Sequence, residues 1–166
     1  MVQFVKSVAL PFLATCLFTF VLASTLHSAF VLKGLIDIGI NVRPFDALTM
    51  LLQDMLGLLP TYGVIILLTL ALAFSFARFS FLRHTQRGDI RLFTYALAGA
   101  VGFLVMLSAM QPILNVTLIA GARGITGLLA QCAAGCMGGL SFAVLTRYRF
   151  ISSLIIFIAK YKRTTM

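Results

Sequence analysis

The sequence has no glutamate and no tryptophan, and its four acidic residues are all aspartates: Asp37, Asp46, Asp54 and Asp89. Only 10% of the residues are charged, against roughly 25% in a soluble domain. That shortage excludes an ordinary soluble enzyme and a disordered chain. The missing glutamate removes the usual carboxylate of an intramembrane proton pump, because no Asp falls inside a long apolar run. Histidine is scarce too. His27 and His84 sit at opposite ends of the expected topology, so a pair of axial haem ligands is not available. The three cysteines, Cys16, Cys132 and Cys136, lie within apolar stretches and give no disulfide framework. Cys132 and Cys136 are four apart and could hold a soft metal, but no His or carboxylate neighbours them in sequence. The reading is two inert, buried thiols and no metal. No phosphate loop, zinc spacing, dinucleotide fingerprint or nucleophile with a base occurs, so no catalytic residue, no cofactor and no self-contained enzyme is expected.

What is present is apolar residue, 61% of 166, with a mean hydropathy of +1.07. A membrane helix needs about 20 such residues, and four segments supply them, at about 7–32, 61–82, 92–110 and 124–146. The fold class predicted is all-α: a polytopic membrane protein with four transmembrane helices in one domain over 1–166. Ser7–Leu32 is too long for the apolar core of a signal peptide, about 7–15 residues, and reads as a retained signal anchor. Pro11 falls near its start, and Gln111-Pro112 closes the third segment. The ten-residue run Phe150–Ala159 is too short to span, and 150–166 is expected as an interfacial tail or an extension of the fourth helix.

The basic excess, 13 Lys+Arg for a net charge of +9, reads as topology and not as nucleic-acid affinity. Lys6, Arg78, Arg83, Arg87, Arg91, Arg147, Arg149, Lys160, Lys162 and Arg163 share one side with Asp89. Lys33, Arg43 and Arg123 share the other with Asp37, Asp46 and Asp54. The positive-inside rule then puts both termini in the cytoplasm of a bacterial inner membrane, with the richer face toward anionic lipid.

The first outer connection carries its own helix. Arg43-Pro44 starts it and Asp46 suits its first turn. Over 45–57, extended by Leu59, the residues Phe45, Leu48, Leu51, Leu52, Met55 and Leu56 share one side. Asp46, Thr49, Gln53, Asp54 and Gly57 share the other. An acidic amphipathic helix in an outer loop favours packing on protein over lipid, since interfacial helices are usually basic. The second outer connection, Gln111–Arg123, is expected to fold over the bundle end, with a partial dip into the membrane as the alternative. No internal repeat aligns the halves.

Membrane helices pair through small residues and interhelical hydrogen bonds. The fourth segment offers Gly127, Ala130, Gln131, Ala134, Gly135 and Gly138, and the third offers Ala98, Gly99 and Gly102. These are the expected packing faces, and the amide of Gln131 needs a partner. Thr15, Thr19, Ala23 and His27 form a ridge at intervals of four on the first segment. His27 is read as interfacial, reaching water or a loop acid such as Asp37 or Asp54. A second possible site is outside the spans, where Arg43 and Arg123 face the same compartment as Asp37, Asp46 and Asp54: Arg123 is expected to pair with Asp54 and lock the two outer loops, or to bind an anionic ligand or lipid headgroup. The functional expectation is a non-catalytic subunit or scaffold that docks other membrane subunits, or itself. The alternative is a small oligomeric channel or transporter with its path between protomers, lined by Thr15, Thr19, His27 and Gln131.

Overall fold

The computed structural model describes residues 2–40, 42–82, 88–114 and 124–164, with side chains for 8–40, 42–82, 88–110 and 124–147. These residues are helical apart from short turns. The helices are α1 (Val2–Asp37), α2 (Pro44–Leu58), α3 (Val64–Ser80), α4 (Gly88–Leu114) and α5 (Ile125–Thr164). Four stretches are long and apolar enough to cross a membrane: Val8–Asp37, Pro44–Ser80, Gly88–Met110 and Ile125–Arg147. Their count and order are those expected for a multi-pass membrane protein. A bilayer offers the backbone no hydrogen-bond partners, and a helix satisfies its own.

Several boundaries differ from the sequence reading. Helix α1 begins at Val2, so Pro11 lies inside it and not in its first turn. Helix α4 runs through Gln111-Pro112 to Leu114. Helix α5 continues without a break through the run that is too short to span, as far as Thr164. The amphipathic helix occupies Pro44–Leu58 but is not an isolated loop element. A π-helical turn, Leu59–Gly63, carries it into α3, giving one 37-residue stretch from Pro44 to Ser80. At 1.5 Å per residue that is about 55 Å, well beyond a hydrocarbon core of about 30 Å.

The joint between α1 and α2 follows from two local signals. Gly39 has φ +87°, the left-handed region open to glycine. Its N–H bonds the Ile36 carbonyl at 2.9 Å, and Ile40 N–H reaches the Leu35 carbonyl at 3.1 Å, which together close α1 in a Schellman motif. Arg43 is extended ahead of Pro44, which occupies the first turn of α2 with Asp46.

Packing places α5 between α1 and α4, with α3 against α4. The α4–α5 crossing is set by glycine. A Cβ on Gly99 would run into the Gly135 carbonyl, and one on Gly139 would run into the Tyr95 carbonyl. Gly138 lies against Thr19 of α1, and Gly102 turns to α3, where a Cβ would come within 3.1 Å of the Ala73 methyl. Below this crossing, Phe74 stacks on Phe142 at 4.8 Å and Tyr95 meets both edge-on.

Candidate functional site

The polar groups of the spans gather along α1. Thr15, Thr19 and Ser24 are fully buried, with His27 and Ser28 nearly so. Residues three and four apart share a helix face, so Thr15, Thr19, Ala23 and His27 form one column, and Ser24 and Ser28 run beside its outer half. Thr19 Oγ1 donates to the Thr15 carbonyl at 2.8 Å, which satisfies it within its own helix. Ser141 of α5 donates to the Gly138 carbonyl at 2.8 Å and lies 3.4 Å from Thr15 Oγ1.

Further along the column, Gln131 of α5 joins three elements. Its Nε2 donates to the Ala23 carbonyl of α1 at 3.0 Å, and its Oε1 accepts from the Tyr62 hydroxyl of the π-helical turn at 3.0 Å. Gln131 is 1% exposed and Tyr62 2%. One amide thus finds a donor and an acceptor where water is excluded. Tyr62 also stands by Phe20, with ring centroids 6.5 Å apart.

At the end where α1 meets α2, Ser28 Oγ donates to Asp54 Oδ2 at 2.8 Å. Asp54 is therefore turned toward α1 and half-buried, not on a free polar face. It is also close enough to His27 to act on it electrostatically. Ser28, His27 and Asp54 contain the residue types of a hydrolytic triad, but Ser28 gives its proton to the carboxylate, which is not the order of a nucleophile–base relay. Among the described residues, Ser24 Oγ is the buried side-chain polar atom with no hydrogen-bond partner. No group of three His, Cys, Asp or Glu side chains comes together among them either, and the Cys132 and Cys136 thiols are half-buried and unpaired.

No family model, curated protein or solved structure matches this chain. Function rests on its geometry.

Most of the sequence-derived residues can be placed. Gly127, Gln131, Ala134, Gly135 and Gly138 are buried and Ala130 is half-buried, but the face divides between two neighbours. Gly135 meets α4, while Gly138 and Gln131 meet α1. Gly99 meets α5, and half-buried Ala98 joins Gly102 in lining a groove of about 530 Å³ between α3 and α4. That groove also presents Thr69, Ala73, Phe76 and Met106. Thr15, Thr19, His27 and Gln131 lie inside the protomer, so they do not face a space between protomers. Arg43 is exposed. Arg123 and the 115–123 connection lie outside the described residues, as does His84, so the expected Arg123–Asp54 lock does too; the partner seen for Asp54 is Ser28. Sequence reasoning missed Tyr62, Ser28, Ser24 and Gly139. Ser24 and Ser28 are four apart beside the recognised ridge, and Gly139 follows Gly135 by four. Tyr62 gives a weaker signal, a hydroxyl two residues after Pro60.

Proposed function

We propose that this chain is a non-catalytic subunit or scaffold of a larger assembly in the bacterial inner membrane, with both termini in the cytoplasm. The Lys/Arg count, ten against three, supports that orientation. In that orientation the joint between α1 and α2 is on the outer side, and α2 extends beyond the second span.

The observation that carries the subunit reading is the ridge of Phe45, Leu48, Leu52 and Leu56 on α2. Ala47, Leu51, Asp54, Met55 and Leu58 are half-covered, whereas the four ridge residues are 77, 56, 53 and 74% exposed. A contiguous apolar ridge on an acidic helix is poorly matched to anionic lipid and well matched to a protein partner. The groove between α3 and α4 offers a second contact, floored by Ala73, Ala98 and Gly102, where a partner helix could approach closely. The small-residue stripe of α5 is occupied by α1 and α4, so docking falls to these two uncovered surfaces, with lipid against the rest of the apolar exterior.

A photo-crosslinking amino acid at Leu52 tests this in living cells. One discrete protein adduct is expected at Leu52 and none at half-covered Met50. Adducts with lipid alone would overturn the subunit reading.

A further inference from the structure

We propose that Asp54, Ser28 and Ser24 form a site for one alkali cation, sodium or potassium, held between α1 and α2. Ser24 Oγ is fully buried and, among the described residues, has no hydrogen-bond partner. A hydroxyl shut away from water without a partner costs free energy, and buried polar groups almost always have one. The site is independent of what docks on α2.

The neighbours of Ser24 along its helix show where it faces. Phe20, Ser24 and Ser28 stand on successive turns of one face of α1. At one end of this row, Ser28 Oγ donates to Asp54 Oδ2 of α2 at 2.8 Å. At the other, Phe20 meets Tyr62 of the π-helical turn, with ring centroids 6.5 Å apart. Ser24 lies between these two contacts, so it is turned toward the end of α2, about 6 Å along the helix axis from Ser28.

Asp54 supplies the charge. It is half-buried, which leaves an ion a way in, and no lysine or arginine pairs with it among the described residues. Its Oδ2 accepts from Ser28, while its Oδ1 accepts no side-chain hydrogen bond there. A hydroxyl that donates its proton keeps its lone pairs, so Ser28 can coordinate an ion and still hold Asp54. Carboxylate and hydroxyl oxygens are hard ligands, suited to a hard cation and not to a soft metal. A lone carboxylate matches a single positive charge. Calcium collects about 6–8 oxygens, usually with several carboxylates among them. No second acid stands at this level: Asp46 is two turns away on α2, and Asp37 lies further along α1. The ion gives Ser24 its partner, neutralises Asp54 and ties α2 to α1.

The test uses the full chain in detergent, exchanged into choline chloride to remove alkali ions. Thermal unfolding is then followed at constant ionic strength in choline, sodium and potassium chloride. Sodium or potassium, at about ten times its dissociation constant, should raise the midpoint by about 3–6 °C over choline. The ion that does so should fill one site per chain in equilibrium dialysis. Asp54→Asn should lose the response while keeping an oxygen to accept from Ser28. Ser24→Ala separates an ion from a merely idle hydroxyl, and it serves should Asp54→Asn fail to fold. In choline it should be no less stable than wild type, because it removes a group without a partner. With the ion present it should fall below wild type, its affinity lowered about tenfold. A wild-type midpoint equal in all three salts overturns the proposal. So does an ion response that Ser24→Ala or Asp54→Asn leaves intact.

Discussion

Tyr62 donates its hydroxyl proton to Gln131 Oε1 at 3.0 Å, between residues 69 positions apart in the sequence and almost wholly buried. With the second bond from Gln131 to the Ala23 carbonyl, this contact ties α1, α5 and the start of α3 at one level. Replacing Tyr62 by Phe leaves an amide oxygen without its donor and should destabilise the fold by about 0.6–1.7 kcal/mol, from the average to the maximum found for hydrogen bonds between membrane helices. Gln131→Leu removes both bonds. A double-mutant cycle with Tyr62→Phe, read by unfolding in detergent or bicelles, should give a coupling energy of the same size.

Glycines at the helix crossing should behave in the opposite way from an unpacked one. Gly99→Ala and Gly139→Ala each drive a methyl into a facing backbone carbonyl. Each should lower stability by about 1–3 kcal/mol, as overpacking does. Gly57 lies inside α2, where an added Cβ would meet nothing within 4 Å, and Gly57→Ala should stabilise by up to about 1 kcal/mol through helix propensity. Thermal unfolding of the three variants side by side checks the signs.

Gly39 is a different case, since its constraint is backbone and not space. Nothing lies within 4 Å of a Cβ there, yet φ is +87°. Gly39→Ala should cost about 1–2 kcal/mol from the left-handed conformation alone. The loss should appear as faster hydrogen exchange at Ile40 and Gly39, whose N–H groups cap α1.

Orientation can be read with single cysteines. A cysteine at Lys33 should react with an impermeant maleimide added to intact spheroplasts. One at Arg147 should react only after the membrane is opened. The reverse pattern would contradict the positive-inside assignment.

What the sequence reveals depends on the range of the interaction. The four spans follow from one-dimensional runs such as Thr61–Leu82, and each has a helix long and apolar enough to cross. Periodicity also finds the ridge through Thr15, Thr19 and His27 and the glycine-rich face of α5. Periodicity cannot say which neighbour a face meets. Gly135 and Gly138 are three apart and read as one surface, but that surface is wide enough to touch α4 with one and α1 with the other. Asp54 falls on the polar side of α2 in the helical pattern, where an acid normally meets water; a hydroxyl on α1 supplies a partner that hydrophobicity patterns do not register. Tyr62 and Gln131 meet only after three helices have assembled. The extent of α2 escapes the sequence for a local reason: Pro60 reads as a boundary, whereas a π-helical turn carries the chain through it.

A subunit of a larger assembly should leave the membrane together with its partners. Native mass spectrometry after gentle detergent extraction, at natural expression levels, reads this without any labelling. The expected species is a complex heavier than 18.0 kDa that contains a different protein in fixed stoichiometry and is lost when Phe45 and Leu52 are both changed to Ser. A lone 18.0 kDa monomer, or a complex of this chain with itself alone, would contradict the subunit reading.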